Sequence, residues 1–203
     1  MTRHFSLAPI AAAAFLCGMA FLHVNKPGGA DFYVFPTDPD SVQGKTAQEF
    51  LRVVTLASIE RALAPRTVSQ LKTRVGQGRM SVVGLWPEDA ALKKWEKIIG
   101  GETIFFVTKT QLVGSAVIVH SERSRTLAEQ LFGRGAGLCE LLILLVDATP
   151  LAMPLAKFNE ALGRKGGSSF KNLASLSAEQ VRRMEEQYGS VYGFIEAAKP
   201  AAS

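Results

Sequence analysis

Apolar residues recur along this chain in two rhythms. Short runs at Phe32-Tyr33-Val34-Phe35, Ser81 to Leu85, Thr103 to Val107, Leu112 to Val119 and Leu141 to Val146 are β-rich and bounded by turn formers, so they predict strands. The last is apolar at every position from Leu141 to Val146, the pattern of a strand buried on both faces. Three-to-four spacing predicts helices elsewhere. One follows the capping box Thr46-Ala47-Gln48-Glu49, with Phe50, Leu51, Val54, Ala57 and Leu63 as its stripe. A second covers Val68 to Val75 and stops at Gly76 and Gly78, and a third runs from Glu88 to Ile99 on Leu92, Trp95 and Ile99.

Beyond the Gly100-Gly101 turn, Thr126-Leu127-Ala128-Glu129 predicts a capped helix ending at Gly133. Pro154 suits a first helical turn that closes at Gly163, and Ser177-Ala178-Glu179-Gln180 caps a long helix that carries Val181, Met184 and Tyr188 on one face. The order is strand, helices, strand, helix, strands, helix, strand, helices. It lacks the regular βαβ alternation of a doubly wound sheet, and it predicts an α+β fold built as a small mixed β-barrel surrounded by helices. The chain divides into residues 1–30, a hydrophobic leader, and residues 31–198, one folded domain.

The leader changes the picture of location. Phe5 to Val24 is nearly free of charge, follows Arg3 and His4, and precedes Gly28 and Ala30, as in a signal peptide or anchor. Its length approaches the ~20 apolar residues that span a bilayer. A packed hydrophobic helix and an upstream extension starting before Met19 are the competing readings. The cytoplasm ranks ahead of membrane anchoring, and anchoring ahead of export, so a membrane enters as a partner only through residues 5–24.

Composition adds a partner class. The 203 residues are 47% hydrophobic and 20% charged, enough apolar surface to offset the entropy of ordering one domain. A formal charge of +5 and a pI near 9.4 suit a polyanion. The cations concentrate in two segments, Arg61, Arg66, Lys72, Arg74 and Arg79, and then Lys157, Arg164, Lys165 and Lys171. Cys17 and Cys139 are too few for a disulfide framework, and with His4, His23 and His120 scattered, no metal and no cofactor are predicted.

The block order Val82-Val83-Gly84-Leu85-Trp86-Pro87, Lys94-Trp95-Glu96-Lys97-Ile98, Glu140 to Leu145, Pro154-Leu155-Ala156-Lys157-Phe158-Asn159-Glu160-Ala161-Leu162-Gly163 and Tyr188 to Ile195 resembles the EVE/YTH-like branch of the PUA-like domains. These are small barrels found on modification-dependent restriction enzymes and RNA readers. The resemblance implies a non-catalytic nucleic-acid-binding module, DNA ahead of RNA, that recognises a flipped, modified base for a partner nuclease or motor protein. Such a base is recovered from the stack by aromatic faces and hydrogen bonds to its edge.

This chain departs from the pattern. Val83 stands where the family carries a Trp that walls the pocket, Cys139 replaces an aromatic before the Glu-Leu strand, Arg164 replaces a Tyr, and Lys171-Asn172-Leu173 replaces Gln-Gly-Phe. Trp86 and Phe170 are the aromatics near enough in sequence to substitute, whereas Trp95, Phe32, Tyr33 and Phe35 read as packing. The residues expected to bind nucleic acid are Val83, Gly84, Trp86, Arg164, Lys165 and Lys171.

Two other classes compete. A scaffold for proteins or membranes that has lost base reading fits the missing aromatics. A P-loop nucleotide binder would use Gly44-Lys45-Thr46 with Leu142 to Asp147 as the Walker B strand, but Pro39 takes the place of the first glycine, removing an amide and fixing φ. No nucleophile elbow, metalloprotease helix or other catalytic spacing occurs, and no enzyme is predicted.

Overall fold

The computed structural model describes residues 32–37, 52–76, 78–133 and 139–201. The apolar leader, the Thr46–Glu49 capping box and the Gly44-Lys45-Thr46 motif lie outside them. Strands β1 (Phe32–Pro36), β2 (Arg52–Thr55), β3 (Arg79–Leu85), β4 (Thr103–Val107), β5 (Gln111–Arg123), β6 (Leu141–Pro154) and β7 (Ala174–Ser175) form one sheet of seven, in the order β2-β3-β6-β5-β4-β1-β7. All described ladders are antiparallel except β1 with β4. The architecture is mixed α+β. It corrects the expected barrel, because β2 and β7 stand at opposite ends of the order and no ladder joins them among the described residues.

The helices are α1 (Leu56–Ile59), α2 (Pro65–Val75), α3 (Asp89–Trp95), α4 (Arg125–Phe132), α5 (Leu155–Ala161), α6 (Ala178–Tyr188) and α7 (Val191–Ala198). The sheet carries core on both faces. On one, Tyr33, Phe35, Ile104, Phe106, Ile118, Ile143 and Val83 pack as a single cluster against Ala91 and Ile98 of the α3 region. On the other, Phe105 and Val107 meet Phe158, Met184 and Phe194 of α5 to α7, while Val82, Leu142 and Leu144 meet Leu56, Leu71 and Leu131. Alternation along each strand sends neighbours to opposite faces, which is why continuous apolar runs are needed here. The long β5–β6 ladder shifts register three times, and Asp147, at φ 52, lies in one of these bulges.

Several elements depart from expectation. The stretch predicted as one helix through Val54 and Leu63 is β2 followed by the single turn α1, since β-branched Val53, Val54 and Thr55 pair with β3. Helix α3 ends at Trp95, so Ile98 is buried and Ile99 is 45% exposed. Helix α4 is capped by Ser124, whose hydroxyl accepts from the Leu127 amide, two residues before the predicted Thr126. The Ser177 capping box forms in both halves. Strand β6, which would carry a Walker B carboxylate, runs antiparallel to both neighbours, so this is not the parallel sheet of a P-loop NTPase. Among the described residues no helix is long and apolar enough to cross a membrane.

Candidate nucleic-acid interface

The chain turns from β3 into α3 at Trp86-Pro87, where Glu88 donates its amide to the Trp86 carbonyl at 2.8 Å and Asp89 places a carboxylate in the first helical turn. Trp86 is half-buried and hydrogen-bonds the sulfur of Cys139. Burial pushes the Cys139 thiol up to about 11, against the opposing pull of that bond, so the thiol stays protonated at neutral pH. Trp95 donates its indole N–H to the Leu142 carbonyl at 3.1 Å and packs on the core, as expected of it.

Val83 and Gly84 occupy a filled region. Val83 is 0% exposed within the core cluster, and a Cβ on Gly84 would sit 3.1 Å from the Cys139 carbonyl and 3.3 Å from the Phe132 ring. The small residue at 84 is there to let β3 approach Cys139, and neither position offers surface to an inserted base.

A hollow of about 530 Å³ opens beside α3, lined by Tyr33, Asp89, Ala90, Lys93, Lys94, Lys97 and Ser175. Lys93 and Lys97 are exposed, lie one turn apart, and have no ion-pair partner among the described residues. Lys94 donates to the Leu173 carbonyl at 2.9 Å, tying α3 to the segment that carries Lys171.

The connection after α5 is ordered by two consecutive side chains. Phe158 stacks on Phe170 with centroids 6.0 Å apart, and the Arg164 guanidinium lies 3.8 Å above the Phe170 ring. Asn159, 0% exposed, donates its amide to the carbonyls of Gly166 at 3.0 Å and Ser168 at 2.7 Å, and its own carbonyl accepts from the Arg164 amide at 2.7 Å. Gly163 begins the turn at φ +66, where a Cβ would also run into the Arg183 guanidinium. Partial burial lowers the Arg164 pKa from its ordinary value, which leaves it charged at neutral pH.

Of the residues expected from sequence, Trp86 stands at the start of α3, and Arg164, Lys165 and Lys171 share the connection that Lys94 ties to it. Lys165 and Lys171 are exposed. The α3 lysines and Asn159 were missed. Lys93 and Lys97 at helical spacing after a Trp-Pro corner were the available signal, obscured by Glu88, Asp89 and Glu96 in the same stretch. The first basic segment is partly engaged, with Lys72 3.5 Å from Glu60 and Arg74 donating to the Val119 carbonyl at 2.8 Å. No metal-holding cluster occurs among the described residues.

No protein-family model matches the chain, and no characterised protein sequence matches it. Among solved structures it is similar to the N-terminal domain of Thermococcus gammatolerans McrB bound to m5C DNA, with a TM-score of 0.55 and 14% identity, over 77% of this chain and 95% of that one. At the level of fold, the EVE/YTH-like resemblance read from the sequence holds in divergent form.

Proposed function

We propose that this protein is a nucleic-acid-binding module, DNA ahead of RNA, that delivers a partner nuclease or motor protein to its target and performs no chemistry itself. The observation that carries the reading is the fold shared with a domain bound to m5C DNA, combined with unpaired lysines around a hollow on this chain. Lys93 and Lys97 engage backbone phosphates, releasing counterions, and Arg164, Lys165 and Lys171 extend the same cationic track. Trp86 supplies the face on which an extruded base stacks, worth about 1 to 3 kcal/mol. Base recognition then belongs at Trp86 and the hollow, away from the filled site around Val83.

That filled site favours a second reading. Packed against Cys139 and Phe132, the β3 corner has no room for a base where the related pocket is walled, which fits a scaffold that holds its partner without reading bases. The test is binding of duplex and single-stranded oligonucleotides, with and without m5C, across a salt series. Affinity that falls steeply with salt and exceeds that for RNA supports the DNA module. Salt-independent or undetectable binding, with the folded protein still capturing a protein partner, supports the scaffold.

A further inference from the structure

Residues 164–169 read Arg-Lys-Gly-Gly-Ser-Ser, and their backbone is polarised. Each of the carbonyls of Lys165, Gly166, Ser168 and Ser169 is consumed from within: by the Ser168 amide, by Asn159, by Asn159 again, and by the Arg164 guanidinium at 3.2 Å. The amides of Lys165, Gly166 and Gly167 donate to no acceptor among the described residues. Gly167 faces open space, with nothing within 4 Å of where a Cβ would be. A turn with carbonyls tied down and amides free concentrates positive backbone dipole, the arrangement of an anion-binding nest. Two fixed charges reinforce it, since Arg164 is held flat on Phe170 and Lys165 follows directly.

We propose that residues 164–169 form a phosphate-binding loop, in which the Gly166 and Gly167 amides and the Arg164 guanidinium hold one oxyanion. Asn159 is the positioning residue that turns the carbonyls away from it. The buried carboxamide touches no ligand. Its action is to spend both N–H groups on loop carbonyls, so that the opposite side of the peptide planes faces solvent. The identification of the phosphate as one from a DNA backbone rests on the function proposed above; the loop chemistry itself is shared with free phosphate.

The test follows the amide resonances of Gly166 and Gly167 in the full chain during separate titrations with a DNA duplex and with inorganic phosphate. Shifts with DNA are expected, together with an affinity about tenfold lower for Arg164→Lys, which keeps the charge but loses the planar fork. Asn159→Ala should abolish the shifts while the resonances of α6 stay in place; if that variant does not fold, Arg164→Lys carries the test. DNA that binds the wild type with both glycine amides unmoved and with equal affinity for Arg164→Lys overturns the loop and leaves the DNA reading intact. Shifts with phosphate and no DNA binding uphold the loop and overturn the DNA reading. No shift with either overturns the loop.

Discussion

The C-terminal helices and the α3 side of the molecule carry similar numbers of cations but dispose of them differently. On α6 and α7, Arg182 pairs with Glu179 and Glu186, Arg183 pairs with Glu179, and Lys199 pairs with Glu196. These bonds lower the Glu179 carboxyl, through Arg183 first and Arg182 next, and raise Arg182. Around the hollow, Lys93 and Lys97 stand a turn apart without an ion pair, although Asp89 and Glu96 share their segment. Exposed ion pairs contribute little stability, so the pairing on α6 matters less for folding than for what it leaves over. One surface has satisfied its own charge. The other retains donors that an external polyanion can use, and net charge alone does not distinguish them.

The comparison breaks most completely at its shared support. Phe158 stacks on Phe194 beneath α7 and on Phe170 beneath Arg164. Phe158→Ala should cost about 3 to 5 kcal/mol in denaturant unfolding, through lost transfer energy and the cavity left behind. The next effect separates the two surfaces: Lys93→Gln with Lys97→Gln should reduce the magnitude of the salt slope of DNA binding by about 2, one for each phosphate contact. Arg182→Gln with Arg183→Gln should leave that slope unchanged. Trp86→Ala should weaken DNA binding by about 1 to 3 kcal/mol while preserving the slope, because stacking releases no counterions. Ser177→Ala, on the paired side, should cost about 1 kcal/mol of stability through its lost cap, with DNA affinity intact.

A pH measurement sharpens the description of the Trp86 corner. Cys139 has a thiol pushed from 9.0 to about 11 in the folded chain, so the native state holds its proton more tightly than the unfolded state does. Its stabilising contribution is complete below pH 9 and is lost as pH rises through about 11. Stability should therefore decline faster across that window in the wild type than in Cys139→Ala. At neutral pH, alkylation mapped by peptide mass should leave Cys139 unmodified in the folded protein.

The strands were legible wherever one residue type recorded one environment. Leu141 to Leu145 is buried on both faces and reads so directly, and the Ser177 box forms as its residues dictate. Legibility failed where tertiary pairing overrode local pattern: Val54 fits a helical stripe, yet its β-branched neighbours found β3. It failed at α4 because Thr126 and Ser124 are both capable caps, and only the approach of the Leu127 amide chooses Ser124. Sheet closure was invisible, since strand order depends on long-range pairing that periodicity does not encode. At the site, the cations after Gly163 could be read, but not their support. Asn159 resembles any polar residue on a helix until the returning loop buries it.

The central claim is that the unpaired α3 side, and not the paired α6 side, holds nucleic acid. Its most direct test is a fluorescence-anisotropy titration of an m5C-containing duplex at several salt concentrations, run on the wild type, on Lys93→Gln with Lys97→Gln, and on Arg182→Gln with Arg183→Gln. The account predicts salt-sensitive binding that the α3 variant flattens and the α6 variant retains. Equal loss from both variants, or no salt-sensitive binding by the wild type, contradicts it.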